Sequence, residues 1–204
     1  MIRTSLKFIK KELETYIVDR EQDPLNYNIG NVVDLKPVVK ANGELNVTDS
    51  THVTIMMAGV EEERRESKRP VFVPAPDKKI LRLNPPVELD LLILFIAHNS
   101  DYETALRDLS NVASFFQANP VFDEQRFPGL NEFATEPINK PWQLVERLTF
   151  KLLSLSFEQQ NNLWGMLGGK YIPSLVYKMN MLTVFETRSQ EKIQSIKALN
   201  IKEN

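Results

Sequence analysis

The chain contains no cysteine, and only two of its 204 residues are histidine. Without cysteine, neither a disulfide framework nor a thiolate metal site can form, so a small disulfide-stapled scaffold is excluded. The absence leaves the redox compartment of the protein open.

A basic excess is also lacking, since 25 Lys and Arg residues stand against 27 Asp and Glu residues and give a formal net charge of -2. A protein that binds nucleic acid usually carries a basic surface that neutralises phosphates. No dominant basic patch stands out, so we expect no nucleic-acid partner.

Long hydrophobic runs are missing as well. The apolar segment Leu89–Ala97 is too short to cross a bilayer, which needs about 20 residues in a helix. Near the amino terminus, charges interrupt every apolar run and no small-residue cleavage site follows, which argues against a secretory signal. The sequence therefore predicts no direct membrane insertion.

The first residues have the pattern of an amphipathic helix. Such a helix could lie on a membrane surface, but its mixed charge and the strands that follow favour docking on a sheet. The predicted buried face consists of Ile2, Leu6, Ile9, Leu13 and either Tyr16 or Ile17.

Three segments are predicted to be strands: 31–39, 53–60 and 87–97. The pair Asn42-Gly43 between the first two suggests a tight, hairpin-like reversal. The third strand begins by alternation, with Glu88 and Asp90 outward, and then becomes apolar on both faces, which predicts burial from both sides.

A helix is predicted after Ser100, which forms a capping-box pattern with Glu103, and it should end before Pro120. Its expected buried stripe is Tyr102, Leu106, Leu109, Val112, Ala113 and Phe116.

The clearest break in the chain is the charged, proline-spaced stretch 61–76, which we expect to be an exposed loop. It is either a solvated connection or a contact arm that becomes ordered against a neighbouring subunit. Its candidate interface residues are Arg64, Arg65, Lys68 and Arg69. A second irregular region covers 123–142.

The last third of the chain is predicted to form a strand, a capped helix, a glycine stop and another strand. Ser156 and Gln159 make a second capping-box pattern, Trp164 lies on the apolar face of the helix, and Gly168-Gly169 supplies the stop. In the final strand, 175–185, the residues Leu175, Tyr177, Met179, Met181 and Phe185 share one face, with Lys178, Asn180 and Glu186 opposite.

These elements predict an α+β fold: a mixed, mainly antiparallel sheet packed by an amino-terminal helix and two internal helices. With 42% hydrophobic residues, the chain suits one domain, assigned to 1–186. Residues 187–204 should be a polar tail or short helix, either docked or frayed.

No catalytic constellation is evident. His52 and His98 each lie in or beside an apolar strand, which is typical of structural histidines rather than of metal ligands. The segment Gly165–Lys170 misses the spacing of a phosphate-binding loop, lacks its Ser or Thr, and follows a helix instead of a strand. We therefore expect no enzyme activity, cofactor or metal.

The last-third pattern, Ser156 to Lys178, closely resembles the cap or terminator proteins of contractile injection systems of the antifeeding-prophage and virulence-cassette type. Three further segments, 84–91, 102–109 and 115–122, occur in that family's order and spacing. The motif residues, whose role is expected to be mainly structural, are Ser156, Gln159, Trp164, Gly168, Gly169, Tyr171, Pro173 and Tyr177.

The resemblance implies a fold similar to phage-tail terminator proteins. It implies a homohexameric ring that closes the baseplate-distal end of the inner tube and contractile sheath. The partners would be other copies of the chain, the sheath protein and the inner tube protein. Assembly would occur in the bacterial cytoplasm, in a particle that can be released. The alternative is a stand-alone small-ligand-binding or enzymatic α+β domain.

In that setting, the final strand is predicted to be a sheet edge that accepts an arm of the sheath by strand addition. Lys178, Asn180 and Thr183 would form its polar, partner-facing side.

Overall fold

The computed structural model describes residues 1–48, 51–63, 71–74, 80–83, 87–135, 144–183 and 191–193. In chain order, its elements are α1 (Ile2–Glu21), β1 (Val33–Leu35), β2 (Val53–Glu63), β3 (Val71–Pro74), β4 (Ile80–Leu83), β5 (Val87–Ala97), α2 (Tyr102–Ala118), β6 (Val121–Asp123), β7 (Arg147–Leu153), α3 (Phe157–Leu167), β8 (Ser174–Thr183) and β9 (Glu191–Ile193).

The main sheet has the strand order β1-β2-β5-β8-β7-β6. Strand β1 runs parallel to β2, and every other neighbouring pair in this sheet is antiparallel. The long strands β2, β5 and β8 form its centre. The prediction of an α+β fold with a mixed, mainly antiparallel sheet is confirmed.

Helices α1 and α2 cover one face of this sheet, and the main core lies beneath them. Helix α1 buries Phe8, Ile9, Leu13 and Ile17 completely; the last three belong to the predicted face, whereas Phe8 does not. It ends at Gln22, whose φ of 51° is left-handed. Between the helices and the sheet, aromatic rings pack in edge-on and tilted pairs, for example Phe116 against Phe95.

Among the described residues, α3 and the segment 36–47 cover part of the opposite face. There Trp164 packs with Val38, Leu94, Ile96 and Val176 in a second apolar cluster. Strand β5 is therefore buried on both faces over its carboxyl half, as predicted. The prediction that Asp90 points to solvent is wrong, because this residue is only 5% exposed.

The predicted reversal at Asn42-Gly43 is present, with Gly43 at φ 84° and a bridge between Val39 and Leu45. It does not pair the two flanking strands as a hairpin. Because the chain passes back along the sheet before β2 begins, β1 and β2 run parallel.

The predicted buried stripe of α2 is largely wrong. Only Val112 and Phe116 of that set are buried, while Tyr102 and Leu106 are 62% and 43% exposed. The helix instead turns Ala105, Asp108, Asn111 and Phe115 inward. Its cap is Asp101, whose side chain accepts hydrogen bonds from the backbone of Glu103 and Thr104, so the capping box predicted at Ser100 is one residue early.

The stretch 61–76 is not simply a loop. Residues 61–63 extend β2, and 71–74 form β3, which pairs with β4. In the predicted tail, residues 191–193 form β9, a strand that pairs with β4. Turns over 124–135 agree with the predicted irregular region.

Candidate interaction surfaces

Helix α3 is fixed at both ends by its own sequence. The Ser156 hydroxyl accepts from the Gln159 backbone N–H at 3.2 Å, and the Gln159 side-chain oxygen accepts from the Ser156 N–H at 2.9 Å. At the other end Gly168 adopts φ 68°, a left-handed conformation that a residue without Cβ reaches at little cost. Both predicted signals are confirmed.

A groove of about 340 Å³ runs along the outer side of α3. We call it the α3 groove, and its lining consists of Phe157, Gln160, Asn161, Trp164, Gly165, Gly169 and Tyr171. Its walls are strongly exposed, since Phe157 is 92% and Tyr171 59% accessible. The ring of Tyr171 stands edge-on to that of Trp164 at 6.0 Å.

Trp164 has an unusual polar environment in this groove. The residue is only 4% exposed, and its indole N–H finds no acceptor among the residues that the structure describes. A buried donor without an acceptor costs about 1–3 kcal/mol.

Most of the motif residues meet around α3. Ser156, Gln159, Trp164, Gly168, Gly169 and Tyr171 lie on the helix or its ends, and the Pro173 carbonyl accepts from Ala97 N–H at 3.1 Å. Tyr177 lies on the other face of the sheet, in the main core. We expected these motif residues to have a mainly structural role. That expectation did not include the exposed groove that Trp164, Gly169 and Tyr171 help to line.

The predicted interface residues on β8 lie beside a buried carboxylate. The Lys178 ammonium forms an ion pair with Asp90, and the Asn180 amide donates to the same carboxylate at 2.8 Å. The backbone of Thr183 pairs with Val87. Lys178 and Asn180 are partly exposed and lie on the second face of the sheet, on the same side as Asp90.

The prediction that β8 is a sheet edge is wrong. Strand β8 lies between β5 and β7 and is paired on both sides. Its backbone therefore has no free ladder for an added strand. The predicted alternation of its side chains is confirmed, since Tyr177, Met179 and Met181 all enter the main core. Phe185 and Glu186, and the interface candidates Arg64, Arg65, Lys68 and Arg69, lie outside the described residues.

A second exposed feature is the segment between α1 and β1, which we call the 23–31 loop. Asp23 orders its beginning, because the carboxylate accepts from the Leu25 backbone and the Asn26 amide. The side chains of Leu25 and Ile29 project from it and are 90% and 73% exposed.

Buried polar groups anchor this loop from below. The Tyr27 hydroxyl donates to one oxygen of Asp108 at 2.9 Å, and His52 Nδ1 lies 3.0 Å from the other oxygen. His52 Nε2 lies 3.0 Å from the Asn26 carbonyl, so both ring nitrogens face acceptors. Two acceptors facing the ring favour the imidazolium form, in which both nitrogens donate.

The titration of this network follows from its geometry. The hydrogen bond to Asp108 raises the pKa of His52 above its usual value. Burial, reinforced by the negative charge of Asp108, raises the pKa of Tyr27. The Tyr27 hydroxyl and both ring nitrogens of His52 are thus engaged in contacts within the protein.

Sequence reasoning missed this network. It treated His52 correctly as structural but had no signal for its partners, which come from the 23–31 loop and α2. A polar cavity of about 420 Å³ lies beside it. Its lining is Leu25, Asn26, Asn28, Asn31, His52, Asn99, Thr104 and Arg107.

Among the described residues, no group of three or more His, Asp or Glu side chains is placed to hold a metal ion. Within the same residues, no helix is long and apolar enough to cross a membrane. The glycines before Lys170 follow the carboxyl end of α3, whereas a phosphate cradle needs the amino end of a helix.

A match to a protein-family model identifies the family of this chain. The model of the Pvc16 N-terminal domain matches residues 6–197, which is nearly the whole chain. The chain belongs to the Pvc16 N-terminal domain family. The match includes α3, its groove and the 23–31 loop, and it extends beyond the predicted boundary at residue 186. No curated protein sequence matches the chain.

Two solved structures are similar to this chain. One, determined by cryo-electron microscopy, is the sheath/tube terminator, in the extended state, of PVC, an extracellular contractile injection system. It shares 15% identity at a TM-score of 0.65, with 100% of this chain and 63% of that chain covered. The other is the tube-terminating cap of the anti-feeding prophage, with 12% identity, a TM-score of 0.49, and 74% and 48% coverage. The chain thus spans less than two thirds of either protein. The first match shows that the two share a fold.

Proposed function

We propose that this chain is a structural cap that closes the baseplate-distal end of the inner tube and contractile sheath of a phage-tail-like injection particle. The observation that carries the proposal is the overlap of the entire chain with the PVC sheath/tube terminator, together with the family membership. The cap would act as a homohexameric ring, assembled in the bacterial cytoplasm and carried on a particle that is released.

A cap must present two unlike surfaces. One face of the ring has to match the ends of tube and sheath, while the other must not template a further layer. The described surface has this asymmetry: one side of the sheet is covered by α1 and α2, and the other bears α3 beside the open, charged area around Lys178 and Asn180. We assign Lys178, Asn180 and Thr183, and the arm with Arg64, Arg65, Lys68 and Arg69, to contacts with tube or sheath.

In this role the protein works through surfaces and needs no cofactor, nucleic acid or membrane insertion. The 1–186 segment would be the cap domain, with 187–204 as its tail. The His52–Asp108 pair in the described core supports this reading, because both ring nitrogens of His52 are already engaged.

Electron microscopy tests the proposal directly. Particles from a strain that carries a labelled copy of this chain should show the label at the end distal to the baseplate, and deletion of the gene should give sheaths of irregular length. Label along the shaft, or only at the baseplate, would contradict the cap.

The enzymatic alternative is tested by nucleotide binding. Stoichiometric ATP binding that is lost in Lys170→Ala, with the fold retained, would contradict a purely structural role. We expect no binding in either protein.

A further inference from the structure

His52 lies directly before β2 and connects two parts of the molecule that are far apart in the chain. The residue is buried, with 7% of its surface exposed. Its Nδ1 lies 3.0 Å from a carboxylate oxygen of Asp108 on α2, and its Nε2 lies 3.0 Å from the backbone carbonyl of Asn26 in the 23–31 loop. The imidazole therefore links the loop to α2.

Charged and titratable groups reach this ring from several elements. From α2, the fully buried Asp108 carboxylate favours a positive charge on the ring, whereas Arg107 opposes it. From the loop, the Tyr27 ring packs against the imidazole, with 4.2 Å between the ring centroids, and the Tyr27 hydroxyl donates to the second oxygen of Asp108. From the end of α1, Glu21 pairs with Arg107 at 3.7 Å. The Asp108 carboxylate is the strongest of these influences.

Loss of one proton from the ring must break one of its two contacts, because a neutral imidazole has one donor and one acceptor nitrogen. If Nε2 kept the proton, the lone pair of Nδ1 would face the negative charge of Asp108. If Nδ1 keeps the proton, the hydrogen bond to this carboxylate survives, and bonds of this charge-assisted kind are the stronger ones. The contact that fails is therefore the one between Nε2 and the Asn26 carbonyl.

The Asn26 carbonyl shares its peptide unit with the N–H of Tyr27, which donates to the Asp23 carbonyl at 2.8 Å. Because a peptide unit is planar, a carbonyl that turns away from the neutral ring carries this N–H with it. Loss of the first bond therefore weakens the second, which closes the turn at the start of the loop.

We propose that protonated His52 is a latch that holds the 23–31 loop through the Asn26 carbonyl, and that loss of the ring proton releases this peptide unit and loosens the loop. The side chains of Asn26, Asn28 and Asn31 line the polar cavity beside His52. The shape of that cavity then depends on pH. The latch is a property of the subunit itself and does not rest on the proposed cap function.

The direction of the pH dependence follows from the same contacts. The hydrogen bond to Asp108 raises the pKa of His52 above its ordinary value of about 6.5, although burial acts against it. The latch is therefore closed below that ordinary value and opens as the pH rises through the raised pKa of the folded protein.

Nuclear magnetic resonance of the ring nitrogens tests the protonation step. The chain has two histidines, and His98 follows β5, whose end pairs with the start of β2. The His52 signals are therefore assigned by their loss in His52→Gln. Between pH 5.5 and pH 9.5, both His52 nitrogens should be protonated at first, and Nε2 should then lose its proton while Nδ1 keeps it.

Hydrogen exchange of the loop amides tests the release. Each rate is divided by the rate of an unstructured peptide at the same pH. Across the His52 titration, the corrected rates of Asn26 and Tyr27 should rise by about fivefold, the factor that one hydrogen bond of ordinary strength contributes. The turn over 39–45 is the internal control. It is closed by its own backbone bonds and contains no group that titrates between about pH 6 and pH 9, so its corrected rates should stay constant.

Two variants should fix the latch in opposite states. In Asp108→Asn, the introduced oxygen accepts from Tyr27, and the introduced NH2 group donates to Nδ1, so a neutral His52 carries its proton on Nε2 and holds Asn26 at every pH. In His52→Gln, the amide has one donor group and one acceptor atom, like neutral imidazole. Loop exchange should be slow and independent of pH in the first variant, and fast and independent of pH in the second.

Three results would each overturn the latch. They are a constant corrected rate in the original chain while His52 titrates, a rise shared with the 39–45 turn, and a rise retained in Asp108→Asn. A ring that is already neutral at pH 5.5 would do the same. Circular dichroism checks that the variants fold; if His52→Gln does not, the comparison of Asp108→Asn with the original chain decides.

Discussion

The anchoring of the 23–31 loop gives a prediction with a definite sign. Because the Asp108 carboxylate forms a hydrogen bond with His52, the pKa of the His52 ring in the folded protein is raised above the unfolded value near 6.5. The stabilisation is fully present below the unfolded pKa and is lost as the pH rises through the folded pKa. Between pH 6 and pH 9 the free energy of unfolding should therefore fall, by about 1.4 kcal/mol for each unit of pKa shift.

Two substitutions at Asp108 separate the charge from the hydrogen bonds. Asp108→Ala leaves the Tyr27 hydroxyl and the His52 ring buried without an acceptor, and removal of one partner of a buried ion pair costs about 3–5 kcal/mol. Asp108→Asn keeps the geometry: its oxygen accepts from Tyr27, and its NH2 group donates to a neutral His52. The second variant should therefore lose the pH dependence while it keeps most hydrogen bonds.

Urea unfolding followed by circular dichroism, at intervals from pH 5.5 to pH 9, provides the measurement. The difference between the original chain and Asp108→Asn isolates this network, since all other titrating groups are common to both. If Asp108→Asn shows the same pH slope as the original chain, the proposed imidazolium is not present.

The remaining predictions concern α3 and the open sheet face. Ser156→Ala should lower the free energy of unfolding by about 1 kcal/mol in urea titrations, while Ser156→Asp should retain most of it, because either oxygen can cap the helix. Gly168→Ala should cost about 1 kcal/mol through its left-handed φ, measured by thermal melting, and an equal stability would contradict the assigned cap geometry. Lys178→Met should destabilise the fold, because it leaves the Asp90 carboxylate buried with less compensation, and Asp90→Leu in the same chain should recover part of the loss; a double-mutant cycle with no coupling would contradict the ion pair.

Sequence signals predicted α3 well because they are local. The capping box, the apolar positions and the glycine stop all lie between residues 156 and 169, and each acts on the backbone within a turn of its own position. The faces of β8 were predictable for the same reason, since alternation is a property of the strand itself.

The position of β8 in the sheet was not predictable in this way. Its neighbours are set by pairing with residues far away in the chain, such as Asp90 with Asn180, and a single strand carries no mark of being central. The expectation of an edge followed from the polar face of β8, but the polar residues Lys178 and Asn180 instead bind the buried Asp90 carboxylate of the neighbouring strand.

The prediction of the buried face of α2 failed for a different reason. Its periodicity was sought in apolar residues, whereas the helix buries Asp108 and Asn111, whose partners Tyr27, His52 and Glu21 lie elsewhere in the chain. Buried polar groups are tolerated only when they are hydrogen-bonded, and that information appears only with the tertiary structure. The α3 groove was missed likewise, because the exposure of Phe157 depends on what packs around the helix.

The central place of β8 has a consequence for the order of folding during synthesis. Residues 174–183 fill the gap between β5 and β7, yet they are among the last parts of the described chain to be made. Until they leave the ribosome, β5 and β7 present unpaired inner edges and the sheet remains divided. The groove beside α3 is completed by Tyr171, which precedes β8 closely. The chain therefore completes its main sheet, and the surfaces that rest on that sheet, only after residues 174–183 have been made.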